Sequence, residues 1–413
     1  MARYILWQTW TRYIRDPLYR SSFFLLLSSL LNSVYGFVFW IAAAKLYSLE
    51  DIGIATAIIN SLMLIIVLSR LGFDYSIIRF FPGNNKTKIL NTSLLITTIS
   101  SLFIGTAYIL LIDLLSPSLI FLKSVPYMTF FLLLGVGESV ASITGKAFVA
   151  DRKADRFFIQ NIFLSLRIPL LIPFVFFGPF GILSSVGLGY LAASIFGLLI
   201  LRRKFGILNL KIDREFIKKS FGFSFWNYIS NILSLAPSMI LPIIVLNLLG
   251  GAEAAKYYII FAIANLVMII PTVTGTSLFV EGSYGEGLRG NVIRAGIISV
   301  MLLIPAVIFL FIFGGFLLGS LNKDYLGGLD LLKVLALSSF PFVAYSIFLP
   351  IQNVRMDMAS IVKINLIRFV LILGLSYMLI LKFGIIGAGY GWMITHIVLA
   401  LLIAWIIKRE NWI

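Results

Sequence analysis

Long apolar stretches alternate with short polar connections from one end of the chain to the other. Apolar runs of 18 or more residues, long enough to cross a bilayer as a helix, recur throughout the 413 residues. The pattern predicts twelve spans, at 22–46, 53–72, 90–112, 126–148, 159–178, 180–201, 220–249, 254–279, 292–319, 329–351, 360–382 and 384–407. The connections are too short for a soluble domain, so we expect an all-α integral membrane protein.

The composition agrees with a bilayer environment and narrows the chemistry. Hydrophobic residues make up 60% of the chain and charged residues 12%, whereas soluble domains carry about 25% charged residues. With no cysteine, disulfides and thiol chemistry are excluded. The single histidine, His396, cannot by itself build a zinc site or a Ser-His-Asp triad. We therefore expect no metal site and no catalytic centre built on a thiol or on such a triad.

The basic residues are distributed unevenly between the two sides of the predicted helices. Of the 33 lysines and arginines, six lie in the odd-numbered loops, two lie inside spans, and the other 25 lie at the termini or by the even-numbered loops. The positive-inside rule then places both termini in the cytoplasm of a multi-pass protein of the plasma membrane. The charge faces anionic lipid headgroups, so it does not indicate a nucleic-acid partner.

The first twenty residues predict an interfacial helix, because one helical face carries only apolar residues. These residues are Trp7, Trp10, Ile14 and Leu18.

The chain repeats itself at a shift of 203 residues. Glu50 then falls on Glu253, Arg152 on Arg355, and the tripeptide 180–182 on 383–385. With six spans in each half, this predicts two parallel six-helix bundles, residues 1–210 and 211–413, around a central cleft. That is the architecture of a transporter that alternates between inward-open and outward-open states.

One segment resembles a known family. The stretch "AAAKLYSLEDIGIATAIINSLMLIIVLSRLGFDYSIIRFFPG" (42–83) is similar to the first two spans of prokaryotic polysaccharide exporters. These are oligosaccharide-lipid flippases of the multidrug/oligosaccharidyl-lipid/polysaccharide superfamily. The motif points to this branch of the superfamily and not to a particular glycan.

The resemblance implies export of a polyprenyl-pyrophosphate-linked oligosaccharide for cell-surface polysaccharide biosynthesis. It implies alternating access by a monomer that takes its substrate from glycosyltransferases of the same pathway. No cofactor is expected, although a proton or sodium gradient would serve as the driving force. Two alternatives stay open: an exporter of drugs or other amphiphiles with the same fold, and a membrane-embedded glycan polymerase.

Two arginines lie inside predicted spans. Arg167 and Arg368 are each about 12 Å from the cytoplasmic end of span five and span eleven. A charge facing lipid at that depth costs at least about 2.5 kcal/mol, so both should face the protein interior or a watery cavity. A guanidinium binds two phosphate oxygens at once, and we expect both to bind the pyrophosphate. The structural alternative is an internal ion pair.

The ion-pair alternative applies to only one of the two arginines, because of Glu138. It lies in span four at a depth matching Arg167, whereas the equivalent position in the second half is Pro341. Arg167 therefore has a possible acidic partner and Arg368 does not. Glu138 is also the candidate for ion coupling, if burial keeps a proton on it.

Neutral polar residues and two further arginines complete the candidate set. Asn32 and Tyr35 in span one, and Asn227 and Asn231 in span seven, follow helical spacing and could bind sugar hydroxyls. Interhelical hydrogen bonding is the alternative for these four. Arg70 and Arg79 are expected to flank the inner end of span two as a basic cytoplasmic mouth.

Overall fold

The computed structural model describes residues 17–81, 85–206, 212–283 and 288–409, and these form helices without a β-strand. Residues 1–16 of the expected interfacial helix lie outside the described residues, and residues 17–20 form the start of the first helix. The α-helices, in chain order, are α1 Pro17–Leu46, α2 Leu49–Ser69, α3 Phe73–Phe80, α4 Lys86–Leu110, α5 Ile112–Leu115, α6 Val125–Ala150, α7 Ala154–Ser165, α8 Arg167–Leu170, α9 Pro179–Phe205, α10 Arg214–Leu249, α11 Gly251–Ser283, α12 Leu288–Leu321, α13 Leu329–Val354, α14 Met358–Phe383 and α15 Ile385–Arg409.

Ten of the described helices are long and apolar enough to cross a membrane. They correspond to all the predicted spans except the first and the fifth. The first falls on α1, of which the described apolar part is Val34–Leu46. The all-α membrane fold predicted from the hydrophobic pattern is confirmed.

The fifth predicted span is wrong as a continuous helix. Residues 159–178 are divided between the end of α7, the single turn of α8 and a 3₁₀ turn at Val175–Phe177. Pro169 and Pro173 cause the break, because neither has a backbone N–H to donate into a helix. The Leu171 carbonyl, which lies in this break, instead accepts a 2.8 Å hydrogen bond from the Tyr47 hydroxyl. Prolines alone do not decide the outcome, since α10 runs unbroken through Pro237 and Pro242.

The chain forms two compact units. The first comprises the described residues of Met1–Tyr47 together with Leu62–Tyr228, and the second comprises Ser48–Ser61 and the described residues of Ile229–Ile413. The start of α2 thus groups with the second unit and the start of α10 with the first, unlike a division at residue 210. The duplication, the parallel orientation and the central cleft stay predictions.

A charged cluster joins the ends of three helices of the first unit. Asp151 follows α6 and pairs with Lys86 at the start of α4, at 2.8 Å, and with Lys204 near the end of α9. The Lys86 ammonium also lies 5.1 Å from the centre of the Phe81 ring. Burial by itself would raise the pKa of Asp151, but hydrogen bonds from Lys204 and Lys86 hold that pKa below its ordinary value.

In the second unit, α2 and α11 meet backbone to backbone near their first turns. A Cβ on Gly53 would lie 1.8 Å from the Gly251 carbonyl oxygen, and a Cβ on Gly251 would lie 2.6 Å from the Glu50 carboxyl carbon. Contact this close requires glycine on both helices, as is common between membrane helices.

We expect Asp151→Asn to lower the melting temperature at pH 7 by a few degrees, about 1 kcal/mol. Because the folded pKa is depressed, the stabilisation is complete above the pKa of the unfolded carboxyl, about 3.9. It is lost as the pH falls through the lower folded pKa. Thermal unfolding in detergent at pH 7 and below pH 4 measures the difference. Asp330→Asn, at an exposed ion pair with Lys333, is the control, and an equal effect of both variants would contradict the role of Asp151.

We expect Gly53→Ala to destabilise the protein by several kcal/mol, because the added methyl meets rigid backbone. The matched control is Gly374→Ala in α14, where an added Cβ meets nothing within 4 Å. That control should be neutral or stabilising, since alanine favours a helix by up to about 1 kcal/mol over glycine. Thermal unfolding of the two variants side by side tests the contact, and equal stability would refute it.

Candidate functional site

Arg368 is buried in the middle of a membrane-spanning helix. It lies ten residues from the start of α14, about 15 Å along the axis, and is 6% exposed. Its Nε donates to His396 Nε2 at 3.4 Å, and its Nη1 donates to the Ser234 carbonyl oxygen at 3.0 Å. Neither partner is an acid, and the ion pairs among the described residues do not include Arg368.

Two aromatic rings and a hydrogen-bond chain fix the position of this guanidinium. Its Cζ lies 4.8 Å from the centre of the Tyr345 ring and 5.2 Å from that of Trp392, within the range of cation–π attraction. The Tyr345 hydroxyl donates to Asn365 Oδ1 at 2.7 Å, and Asn365 Nδ2 donates to Ser230 Oγ at 2.9 Å. The charge is therefore held in one place by groups from α10, α13, α14 and α15.

Arg368 faces a cavity within the second unit. The cavity has a volume of about 440 Å³ and is lined by residues of α10, α11, α13, α14 and α15, a size typical of small-ligand sites. Of the described residues that line it, Arg368 is the only charged one. Intramembrane charges that face a cavity commonly mark substrate pathways, so the cavity is suited to an anion.

Arg167 lies in the first unit, at the start of α8 within the broken fifth span. Its Cζ is 5.3 Å from the centre of the Phe39 ring, and a Cβ on Gly36 would lie 3.7 Å from its Nη2. Its Nε is buried and has no hydrogen-bond partner among the described residues. Arg167 thus rests against α1, with an unsatisfied donor.

Glu138 is buried in α6, between positive charges of the first unit. Arg70 and Arg167 both act on its carboxyl electrostatically, and the Tyr190 hydroxyl is its hydrogen-bonding neighbour. The ion pairs within 4.0 Å among the described residues do not include Glu138 with Arg167. A direct ion pair between Glu138 and Arg167, the structural alternative for Arg167, is therefore not formed among the described residues.

Arg70 directly follows α2 and lies beside the middle of α6, not beside its end. The preceding Ser69 is 3.4 Å from Ser139 of α6, hydroxyl to hydroxyl. After a turn with positive φ at Leu71 and Gly72, α3 packs against the last turns of α6, at Ala147 and Phe148. Arg70 is thus at the level of Glu138 and 4.0 Å from Asp74.

Arg79, in contrast, is exposed in the last turn of α3. Its expected role in a basic cytoplasmic mouth stays a prediction.

The structure places the neutral polar candidates outside the Arg368 cavity. Asn32 donates to Asn161 Oδ1 at 3.1 Å, an interhelical hydrogen bond between α1 and α7. Tyr35, Asn227 and Asn231 are half-buried and do not line the cavity. The residues that sequence analysis overlooked are Asn365, Tyr345 and Trp392. The spacing of Asn365 and Arg368, and of Trp392 and His396, would have placed each pair on one helical face.

Among the described residues, no group of three or more histidine, cysteine or acidic side chains could hold a metal ion.

Comparison with solved structures identifies the fold. A multidrug resistance MATE family transporter of the MOP superfamily, in an inward-facing conformation, superposes with a TM-score of 0.72 at 17% identity, over 92% of this chain and 94% of the other. The lipid II flippase MurJ, in an inward closed conformation, matches with a TM-score of 0.70 at 14% identity, over 92% and 87%. At these identities the likeness concerns the fold alone.

Sequence comparison identifies the family. A relative named "Putative O-antigen transporter", from Shigella flexneri, is 25% identical over 268 residues, which are 62% of this chain and 64% of that relative. The match thus spans slightly less than two thirds of the relative's length. The family model for polysaccharide biosynthesis proteins matches residues 18–280, which contain the segment that carried the resemblance. The chain belongs to the polysaccharide biosynthesis protein family.

Proposed function

We propose that this protein is a flippase that exports a polyprenyl-pyrophosphate-linked oligosaccharide for cell-surface polysaccharide biosynthesis. The observation that carries the proposal is Arg368, a buried guanidinium without an acidic partner that faces a membrane-embedded cavity. A guanidinium binds phosphate oxygens through charge-assisted hydrogen bonds. The family and the name of the Shigella flexneri relative support the same assignment.

The polyprenyl chain would stay in the lipid while the pyrophosphate and the glycan enter the protein. Alternating access would then carry the headgroup from the inner to the outer leaflet of the plasma membrane. Glycosyltransferases of the same pathway would supply the substrate, and we propose that the protein acts as a monomer. Glu138 is the proposed site of coupling to a proton or sodium gradient, because it is a buried carboxyl within the membrane.

The alternatives are less consistent with the cavity. An exporter of cationic drugs requires carboxylates or aromatic groups free to face the cation, whereas here Tyr345 and Trp392 already face Arg368. A glycan polymerase requires acid and base groups near its substrate, and the described residues that line the cavity include no carboxylate.

We expect Arg368→Gln to reduce translocation about 10- to 100-fold, the equivalent of one lost charge-assisted hydrogen bond to phosphate. Arg368→Lys, which keeps the charge but not the fork, should retain part of the activity. The assay follows a fluorescent polyprenyl-pyrophosphate oligosaccharide in proteoliposomes, by its accessibility to a membrane-impermeant quencher. Lys382→Gln, outside the cavity, is the control. Full activity of the glutamine variant in folded protein would refute the proposal, and an altered glycan linkage would favour the polymerase.

The orientation can be tested by single-cysteine labelling, since the natural chain contains no cysteine. Leu114, 81% exposed, lies in a predicted outer loop, and Met356, 85% exposed, lies in a predicted inner loop. In intact cells we expect L114C to react with an impermeant maleimide and M356C to react only after permeabilisation. The reverse pattern would overturn the assignment of both termini to the cytoplasm.

A further inference from the structure

The hydroxyl groups that line the Arg368 cavity already donate their protons within the protein. Thr272 Oγ1 donates to the Met268 carbonyl oxygen at 3.0 Å, and Thr276 Oγ1 donates to the Thr272 carbonyl oxygen at 2.9 Å. Each hydroxyl has a single proton and two lone pairs, so a hydroxyl bonded back to its own helix keeps only acceptor capacity. Toward the cavity, both threonines therefore present lone pairs.

Serines and an asparagine extend the same pattern. Ser238 donates to the Leu235 carbonyl oxygen at 2.8 Å, and Ser346 donates to the Val343 carbonyl oxygen at 2.8 Å. Asn353 Nδ2 donates one of its two N–H groups to its own helix at 3.0 Å, which leaves Oδ1 as an acceptor and one N–H as a donor. We call the oxygens of these five side chains, from Thr272, Thr276, Ser238, Ser346 and Asn353, the acceptor wall.

The Ser234 hydroxyl also donates its proton within the protein. Its hydroxyl lies 3.5 Å from that of Tyr345. The Tyr345 hydroxyl donates its single proton to Asn365 Oδ1 at 2.7 Å. Ser234 is therefore the donor in the contact between the Ser234 and Tyr345 hydroxyls. Its proton is thus also unavailable to a ligand.

Arg368 is the donor end of the cavity. Its Nε and Nη1 each have an acceptor within the protein, which leaves Nη2 as the nitrogen without an acceptor among the described residues. Some polar side-chain atoms are fully buried and have no hydrogen-bond partner, and Nη2 is not one of them. The cavity therefore offers one cationic donor, the hydroxyl lone pairs beside it, and the neutral amide groups of Asn265 and Asn353.

We propose that this cavity binds the junction between the phosphoryl group and the first sugar, and that it selects a neutral sugar rich in hydroxyl or amide N–H donors. The inference rests on the proposed function, and it names the class of sugar. A phosphoryl oxygen accepts from Arg368, and the sugar donates to the acceptor wall. A uronic acid is disfavoured because its carboxylate would face lone pairs with no second cation among the described lining residues.

Binding to the full chain in lipid nanodiscs tests the selection, with three probes that share one anchor. These are geranyl diphosphate, geranyl diphosphate glucose and geranyl diphosphate glucuronic acid. We expect the glucose probe to bind about fivefold or more tightly than geranyl diphosphate, the equivalent of one net hydrogen bond. The glucuronic acid probe should lose this gain. Uridine diphosphate glucose, a soluble source of the same phosphoryl-sugar junction, should bind more weakly than the lipid-linked probe.

The double variant Thr272→Val and Thr276→Val removes two acceptors while it preserves side-chain shape. It should abolish most of the preference for glucose and leave the affinity for geranyl diphosphate unchanged. The matched control is Thr97→Val in α4, which removes a buried hydroxyl of the first unit that has no hydrogen-bond partner. That control should keep the full preference.

The outcomes distinguish this inference from the proposed function. Equal binding of the glucose and glucuronic acid probes, or a full glucose preference in the double variant, would overturn the neutral-sugar site alone. Geranyl diphosphate that binds without dependence on Arg368 would overturn the proposed function instead. No binding of any probe to folded protein would overturn both.

Discussion

In the hydrocarbon interior of a bilayer there is no water to satisfy a polar group, so each charge must find its partners within the protein or in a cavity. Arg368 shows how this constraint shapes the second unit. Three other helices contribute groups to its guanidinium: the Ser234 carbonyl from α10, the Tyr345 ring from α13, and the Trp392 ring and His396 from α15. None of these groups neutralises the charge. The helices therefore position a cation that remains available to an anion.

The first unit satisfies the same constraint by another route. Its arginines near Glu138 lie where helices are interrupted, Arg70 directly after α2 and Arg167 at the start of α8. Both act electrostatically on the carboxyl of Glu138, whereas no acid lines the Arg368 cavity among the described residues. The surroundings of the arginines thus differ between the two units.

These differences explain why the two arginines, equivalent in depth by sequence, are not equivalent in chemistry. Arg167 is near Glu138 and lies in a broken segment. Arg368 lies in an unbroken helix and donates a hydrogen bond to Nε2 of His396. The hydroxyls around Arg368 are equally constrained, because in the absence of water they bond back to their own helices. Because these serines and threonines donate to their own helices, their hydroxyl oxygens face the cavity as hydrogen-bond acceptors.

The sequence by itself determined the membrane class, the helical fold and the positions of most spans, because hydrophobic length is a local property that survives in any tertiary arrangement. It also identified Arg368 as an intramembrane charge without an equivalent acid. It did not determine that span five breaks, since Pro169 and Pro173 interrupt their helix while Pro237 and Pro242 do not. Within the break, the Tyr47 hydroxyl satisfies the carbonyl at Leu171, a contact between residues distant in sequence. Likewise, only the tertiary structure decided which polar residues meet Arg368, because the groups on α10, α13 and α15 come together through packing between helices distant in sequence.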